Sequence, residues 1–242
     1  MRWIPLTTLI LLAAAAPAVC AELIPPYTAR YEAQVLGSSL VAVSTLRHED
    51  GAVRMAMDAH VSGFLRLLGR FEFKRGSVLR PEEPMPRVLE THSHHVTPRR
   101  ERRADVEFDW TTNRARGEVD GVPFEKDVPP GTQDFLSSMY LTMTLLRSGA
   151  FKDSFSVTLM ERNRLREYTM ERRDTERVAT RMGPMDAIRI VRRNGSGVEV
   201  AGWFAPQMGF APVRLQYEAD GSVLDLELVE FEWQEPPAAP GN

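Results

Sequence analysis

The feature that most limits the fold of this chain is a period-two alternation of apolar and polar residues that recurs along its length. Near the start, Tyr27, Ala29 and Tyr31 alternate with polar neighbours. Successive side chains of a β-strand point to opposite faces, so this spacing predicts a strand with one buried face. Later, the dipeptide Asp220-Gly221 separates two such segments, which is typical of a tight hairpin. The pattern therefore predicts antiparallel β-structure.

Turn signals recur at intervals of about 8–12 residues, which indicates an antiparallel sheet, sandwich or barrel. No shift in composition, repeat or low-complexity linker divides the 242-residue chain. A single mainly β domain of this length is common, and we predict one over residues 22–233. The predicted strands cover residues 27–36, 40–48, 53–61, 71–79, 88–96, 104–110, 115–119, 155–160, 164–171, 176–182, 187–192, 198–204, 212–217 and 223–231.

One segment departs from the β pattern and predicts an α-helix. Between Pro129 and Gly149, apolar residues recur at the three- and four-residue spacing of an amphipathic helix. Thr132 or Asp134 can cap its first turn, and Gly149 suits the position just after its end. The apolar stripe of such a helix must be buried against a sheet. We therefore predict a strongly curved antiparallel sheet, or open (half) β-barrel, wrapped around one amphipathic helix.

The same helix supplies most of the candidate ligand-binding residues. Its methionines have flexible side chains that adapt to apolar ligands. A glycine-bounded apolar insert at residues 62–69 also interrupts the β pattern. A stripe of this kind is common in ordinary cores too, so a second interpretation is that the helix only completes the core. The predicted ligand-lining residues are Phe64, Leu68, Leu136, Met139, Tyr140 and Met143.

The first residues have the layout of a secretory signal peptide. Arg2 gives a basic start, residues 6–16 are almost continuously apolar, and small residues precede Ala21. The apolar run is shorter than the roughly 20 residues of a transmembrane helix. We therefore predict a signal peptide at residues 1–21, cleaved after Ala21, and a periplasmic mature protein with no transmembrane span.

The single cysteine belongs to this predicted signal. Pro17 and Val19 differ from the residues that normally precede a lipid-modified cysteine, so we do not expect Cys20 to carry a lipid. Cleavage then leaves a mature chain without disulfides, which its hydrophobic core must stabilise alone. At the other terminus, residues 234–242 are proline-rich and predict a disordered tail.

The charge distribution does not favour a polyanionic partner. The formal net charge is −3 at pH 7. The densest basic run, residues 99–103, contains no aromatic residue. Glu101, Asp105 and Glu107 lie close enough in sequence to neutralise it. We therefore predict no nucleic-acid partner.

Histidines provide the candidates for metal chemistry. On a strand, Glu90, His92 and His94 would share one face, and His-x-His can supply two ligands to zinc or copper. No cysteine remains in the mature chain to complete such a site. The serines lie outside any Gly-x-Ser-x-Gly elbow. We predict no cofactor and no catalytic residue, with His92 and His94 as the metal candidates.

Four segments resemble a known family when taken in order: residues 27–33, 108–110, 129–137 and 203–214. Together they resemble the DUF3108 family of exported bacterial proteins, over roughly residues 27–230. The resemblance implies an exported β-rich protein and no catalytic residues, because this family has no established activity. The layout is also similar to that of periplasmic half-barrel lipoprotein carriers, an analogy of fold that does not confer function.

The motif residues have structural explanations of their own. Gln133, Asp134 and Ser137 lie at the predicted helix start, where side chains can bond free backbone amides. The motif at residues 203–214 would form a strand-turn-strand corner with a tryptophan packed beneath it. The predicted structural motif residues are Gln133, Asp134, Ser137, Trp203, Pro206, Gly209 and Pro212.

Three functions follow from these observations. The first is a non-enzymatic periplasmic protein that binds or carries an apolar envelope component such as a lipid. The second is a structural or assembly factor that acts on an envelope protein through its surface, which an exposed Trp110 or Trp203 would favour. The third is a metal-dependent enzyme built on His92 and His94. We prefer the first.

Overall fold

A computed structural model describes residues 23–35, 37–82, 84–194, 197–219 and 222–234. The predicted signal peptide, including Cys20, and residues 235–242 of the predicted tail lie outside the described residues. The predicted turns at residues 195–196 and 220–221 also lie outside them.

The strands of the described residues form one antiparallel sheet. Each strand pairs with its neighbours in sequence, except that the last strand pairs with the first and a helix separates the eighth from the ninth. The strands are β1 (Tyr27–Val35), β2 (Ser38–Glu49), β3 (Ala52–Ser62), β4 (Glu72–Arg80), β5 (Arg87–Thr97), β6 (Arg100–Asp109), β7 (Arg114–Val119), β8 (Val122–Asp127), β9 (Ser154–Glu161), β10 (Arg164–Val178), β11 (Met185–Asn194), β12 (Gly197–Phe204), β13 (Pro212–Ala219) and β14 (Ser222–Trp233).

The predicted helix, α1 (Phe135–Arg147), packs against the inner face of this sheet, beside β3, β4 and β9. Asp134 is its N-cap: its carboxylate accepts a hydrogen bond from the Ser137 amide, and the Ser137 hydroxyl bonds the Asp134 backbone in return. Gly149 follows the helix with a φ of 69°, which a glycine adopts without strain. The predicted curved sheet around one helix is therefore confirmed.

The core lies between α1 and the inner face, and its largest side chains include tyrosines. Tyr27 and Tyr31 are fully buried, and the Tyr31 hydroxyl donates a 2.8 Å hydrogen bond to the Pro212 carbonyl. Burial raises the pKa of Tyr27 to about 12, since the charged form would lose its hydration. The Tyr27 hydroxyl also lies 4.0 Å from the Met143 sulfur on the helix.

The two edge strands, β8 and β9, are not paired with each other, and the sheet overlaps itself instead. Val88 and Phe108, from the inner face of one edge, pack with Met160 and Leu165 from the outer face of the other. Leu159, the residue before Met160, belongs to the main core, so the strand separates two apolar clusters. The sheet is thus a spiral sealed by a second, smaller core.

Polar contacts reinforce this overlap, which we call the seam. The Lys126 ammonium donates a 2.7 Å hydrogen bond to the Asn163 carbonyl, and the Arg162 guanidinium pairs with Asp120. The free edge of β9 is covered by Gln133, whose amide and carbonyl bond the β9 backbone at 2.9 and 2.7 Å. Covering an edge strand in this way prevents its pairing with another chain.

Two elements differ from the predicted ones. No strand was expected at β8, whose residues are mostly exposed and include Pro123, so no apolar alternation marks it. The predicted strands at residues 164–171 and 176–182 are one strand, β10, with a bulge between Arg172 and Thr175. Met182 lies in the following turn.

Candidate functional site

The helix residues expected to line a ligand cavity form part of the core instead. Leu136, Met139, Tyr140 and Met143 are at most 5% exposed. The cavity beside the helix measures about 40 Å³, and of these four residues Met139 alone borders it. That volume holds a few water molecules and no lipid chain. The second interpretation of the helix, as half of the core, fits these four side chains.

The insert after β3 also differs from the expected lining. It forms a short 3-10 helix (Phe64–Leu68) between Gly63 and Gly69. Phe64 is 61% exposed and Leu67 is 80% exposed, so Phe64 does not line the interior as expected. Gly63 and Gly69, with φ of 83° and 133°, turn the chain on either side of this short helix, which leaves Phe64 and Leu67 at the surface. The Leu68 side chain lies outside the described part of the structure.

Polar side chains, in contrast, come together inside the sheet at the start of the helix. The Arg75 guanidinium carbon lies 4.8 Å from the centre of the Phe135 ring. Arg192, which is buried, places its guanidinium carbon 5.9 Å from the same ring and 4.5 Å from the Tyr168 ring. Two cations therefore share one aromatic residue, the first of α1. We call these four residues, with His95, the interior cluster.

His95 is the neutral partner of this cluster. Burial, then the nearby charges of Arg75 and Arg162, lower the pKa of His95 to about 4. At neutral pH its ring is therefore uncharged, and Nε2 accepts a 3.4 Å hydrogen bond from the Arg75 side chain. Burial likewise lowers the pKa of Arg75. No carboxylate of the described chain lies within ion-pair distance of Arg75.

The nearest buried acid, Asp134, is used by the helix cap. Its second carboxylate oxygen accepts a hydrogen bond from the Ser77 hydroxyl on β4. Burial raises the pKa of Asp134, although the bonds from Ser77 and Ser137 partly oppose this shift. Asp134 and Ser137 together form the capping box of α1, and the contact with Ser77 also fixes the helix start against the sheet.

A basic pocket of about 560 Å³ opens beside the interior cluster, at the seam. Glu161 connects the two, because it lines the pocket and accepts a 3.0 Å hydrogen bond from the Tyr168 hydroxyl. Five arginines against two carboxylates give this pocket a formal excess of three positive charges. Its charged residues are Arg100, Arg102, Arg162, Arg164, Arg166, Asp120 and Glu161.

Several apolar side chains beyond the helix start are incompletely covered, although Leu40 and Val61, further along β2 and β3, are buried. Ala59 and Phe73 lie one inner-face position further along β3 and β4 than Met57 and Arg75, on the side away from the helix. Both are only partly buried. Val35 and Leu224 occupy the inner face of β1 and β14 with the same partial exposure, and Tyr217 on β13 is 45% exposed. We call this region the open end of the sheet.

The histidines proposed as metal ligands do not converge with other ligands. His94 Nε2 lies 2.7 Å from a Glu101 carboxylate oxygen, and the His92 ring fills the space above Gly76. Across the ranges that the structure covers, no three histidine, cysteine or acidic side chains come together as metal ligands do. The two histidines lie on the outer face, which is also exposed to solvent.

That outer face forms a wide groove of about 1590 Å³ across β2 to β8. Its charges are largely paired with each other: Arg54 with Glu49, Arg103 with Asp105, and Arg116 with Glu107. These are exposed ion pairs, each of which contributes little free energy. Nothing in their arrangement points to a ligand.

The remaining motif residues make contacts within the fold. The Gln133 side-chain amide donates to the Pro86 carbonyl at 2.9 Å and so ties the loop before the helix. Trp203 is 4% exposed and donates a 2.8 Å hydrogen bond to Glu176. Pro206 and Gly209 form the turn after it, and Pro212 begins β13.

Neither tryptophan that would have favoured a surface function is part of an exposed apolar patch. Trp110 stacks on Phe108 with ring centres 5.6 Å apart and donates to the Val88 carbonyl. It therefore belongs to the second core at the seam. No helix among the described residues is both long and apolar enough to cross a bilayer.

Comparisons with known proteins agree with this architecture. A family described as "Protein of unknown function (DUF3108)" matches residues 26–229. No curated protein matches the chain. Among solved structures, the beta-barrel-like protein of domain of unknown function DUF1849 from Brucella abortus is similar, with a TM-score of 0.61 and 10% sequence identity. The similarity covers 88% of this chain and 100% of that one, and at this identity it shows the fold alone.

Proposed function

Because the chain belongs to the DUF3108 family, whose function is unknown, we propose that it is an exported, non-enzymatic protein that binds an apolar envelope component at the open end of its sheet. The proposed export rests on the signal-like first 21 residues. The proposed binding rests on incomplete coverage of the inner face. Its proposed location is the periplasm, where an exported protein would meet apolar envelope components.

The observation that supports binding most directly is the position of Phe135. It is the first helical residue and is only partly buried, although it lies inside the sheet. Beyond it, Ala59, Val35 and Leu224 alternate in phase with fully buried residues and still contact solvent. An apolar surface that is concave and incompletely covered is typical of ligand sites.

The helix restricts where such a ligand can bind. From Leu136 onward its apolar face is packed, and Met143 contacts the fully buried Tyr27. A ligand that entered between helix and sheet would have to displace these contacts. At the open end it would cover exposed apolar surface instead, which contributes about 25 cal/mol per Å² buried. The open end is therefore the energetically favoured place.

A matched pair of variants on one strand tests this proposal. Ala59→Trp fills the open end, whereas Ala56→Trp makes the same change on the outer face of β3. Native mass spectrometry of each protein, purified gently from the periplasm, measures any bound lipid. Titration with a fluorescent apolar probe, N-phenyl-1-naphthylamine, measures binding directly.

We expect Ala59→Trp to lose the bound mass and to weaken probe binding about tenfold or more, a change of about 1.4 kcal/mol. Ala56→Trp should bind as the unmodified protein does. Equal probe binding by both variants, with no co-purified lipid in any sample, would contradict the proposal.

A second function is supported by a different observation, the exposure of Phe64 and Leu67. Two large apolar side chains on a five-residue 3-10 helix could contact an envelope protein, which is the function of an assembly factor. Photo-crosslinking from position 64 in cells tests it. A single reproducible partner that is lost with Leu67→Asp would favour this function. The absence of any crosslinked protein would contradict it.

A further inference from the structure

The basic run at residues 99–103 divides between the two faces of the sheet. Arg100 and Arg102 alternate in phase with Ala104, which is buried on the inner face. Arg103 points to the outer face, where it pairs with Asp105 at 2.8 Å. Alternation therefore separates adjacent arginines into two different electrostatic environments.

The acids that could neutralise this run all lie on the outer face. Glu101 bonds His94 at 2.7 Å, and Glu107 pairs with Arg116 at 3.2 Å. Neither they nor Asp105 line the basic pocket. Arg100 and Arg102, which do line it, therefore keep their positive charge uncompensated by these neighbours in sequence.

The opposite wall of the pocket comes from the other edge of the sheet. Arg164 and Arg166 alternate in phase with Tyr168, which is buried on the inner face of β10. Arg162 lies in the turn before them, with a φ of 62° that is uncommon outside glycine. Its ion pair with Asp120 joins the two edges. The pocket therefore exists only because the sheet overlaps itself at the seam.

A second observation points to uncompensated positive charge at this place. The pKa of His95 is lowered to about 4 by burial and by the neighbouring Arg75 and Arg162. Arg75 itself has no carboxylate within ion-pair distance among the described side chains. Arg75 does not line the pocket, and the arginines that line it are exposed except for Arg162, so a bound anion would act mainly by reducing the repulsion among these charges.

We propose that the basic pocket at the seam binds a phosphate-type oxyanion, as the anionic headgroup of the apolar ligand proposed above. This inference rests on the proposed function for the apolar part of the ligand. Guanidinium groups match phosphate oxygens in pairs of parallel hydrogen bonds, which favours arginine over lysine at such sites. An excess of three positive charges favours a phosphate over a singly charged carboxylate. Glu161 places the pocket next to the interior cluster.

The experiment uses two double variants with the same change in charge. Arg102→Gln/Arg164→Gln removes two exposed arginines of the pocket. Arg103→Gln/Arg116→Gln removes two arginines of the outer face. Circular dichroism and thermal unfolding confirm that each is folded, and Arg100→Gln replaces the first variant if it is not. Isothermal titration with inorganic phosphate at low ionic strength measures the anion site.

We expect phosphate binding to weaken at least tenfold in the pocket variant and to change less than twofold in the outer-face variant. No phosphate binding by the unmodified protein, or equal loss in both variants, would overturn the proposal. Flotation with phosphatidylcholine vesicles, with and without phosphatidic acid, then distinguishes a lipid headgroup from free phosphate.

The failure of this inference and that of the proposed function are distinguishable. If phosphate still binds to Ala59→Trp and the protein shows no preference for phosphatidic acid, the pocket is an anion site. The proposal that the anion is the headgroup of an apolar ligand would then be wrong. If Arg102→Gln/Arg164→Gln still binds the apolar probe and the unmodified protein binds no phosphate, the proposed apolar site stands. The proposed phosphate pocket would then be wrong.

Discussion

Leu136→Ala tests directly whether the helix residues are core or cavity wall. Leu136 is 0% exposed and occupies the second position of α1. Truncation of a fully buried leucine loses the transfer free energy of its side chain and leaves a cavity, which together cost about 2–5 kcal/mol. Leu136 does not border the cavity of about 40 Å³ beside the helix, so its truncation would open a new space in the core. We expect a loss of about 3 kcal/mol in the free energy of unfolding.

Urea unfolding followed by circular dichroism measures this loss at equilibrium. For a chain of this size, about 3 kcal/mol corresponds to a decrease in Tm of roughly 6–12 °C. Leu67→Ala makes the same truncation on a side chain that is 80% exposed and should change stability by less than about 0.5 kcal/mol. A cost below about 1 kcal/mol for Leu136→Ala in the ligand-free protein would refute the assignment to the core.

Three further predictions follow from the helix cap, the interior cluster and the seam. Asp134→Ala should cost about 1–2 kcal/mol in urea unfolding, because the Ser137 amide and Ser77 lose their acceptor, whereas Asp134→Asn should retain most of the cap. Because the pKa of His95 is lowered to about 4, the unfolded chain binds the extra proton first, and stability should fall as pH decreases from about 6.5 to 4; His95→Gln should flatten this decrease in pH-dependent unfolding. Met160→Ala should cost about 2–3 kcal/mol and speed hydrogen exchange in β8 selectively, and unchanged exchange there would show that the second core does not hold the seam.

Most strands were predictable because alternation is a local property of a half-buried strand. The segment at Tyr27 and the helix around Met139 each carry their own period, and Asp134 and Gly149 mark the helix ends with residues whose roles need no distant partner. The strand β8 was missed for the same reason: its side chains are mostly exposed, so no buried face imposes a pattern on its sequence.

The candidate site could be predicted only in part. A helical spacing of methionines shows that Met139 and Met143 share a face, but not whether that face contacts side chains or empty space. Likewise, the sequence alone suggests that nearby acidic residues neutralise the arginines of residues 99–103. The period-two alternation of the same run nevertheless places Arg100 and Arg102 on the face opposite to the acids.

The sequence by itself determined the antiparallel strands, the single capped helix and the face on which each side chain lies, because backbone periodicity and capping depend on nearby residues. Only the tertiary structure decided which inner-face residues are covered. The helix has 13 residues and covers only part of the inner face of the sheet. The part that lies beyond its first residue, Phe135, is not covered by it. The overlap of β8 with β9 creates both the second core and the basic pocket. Both features arise from contacts between residues far apart in the chain, and such contacts depend on how far the whole sheet curls.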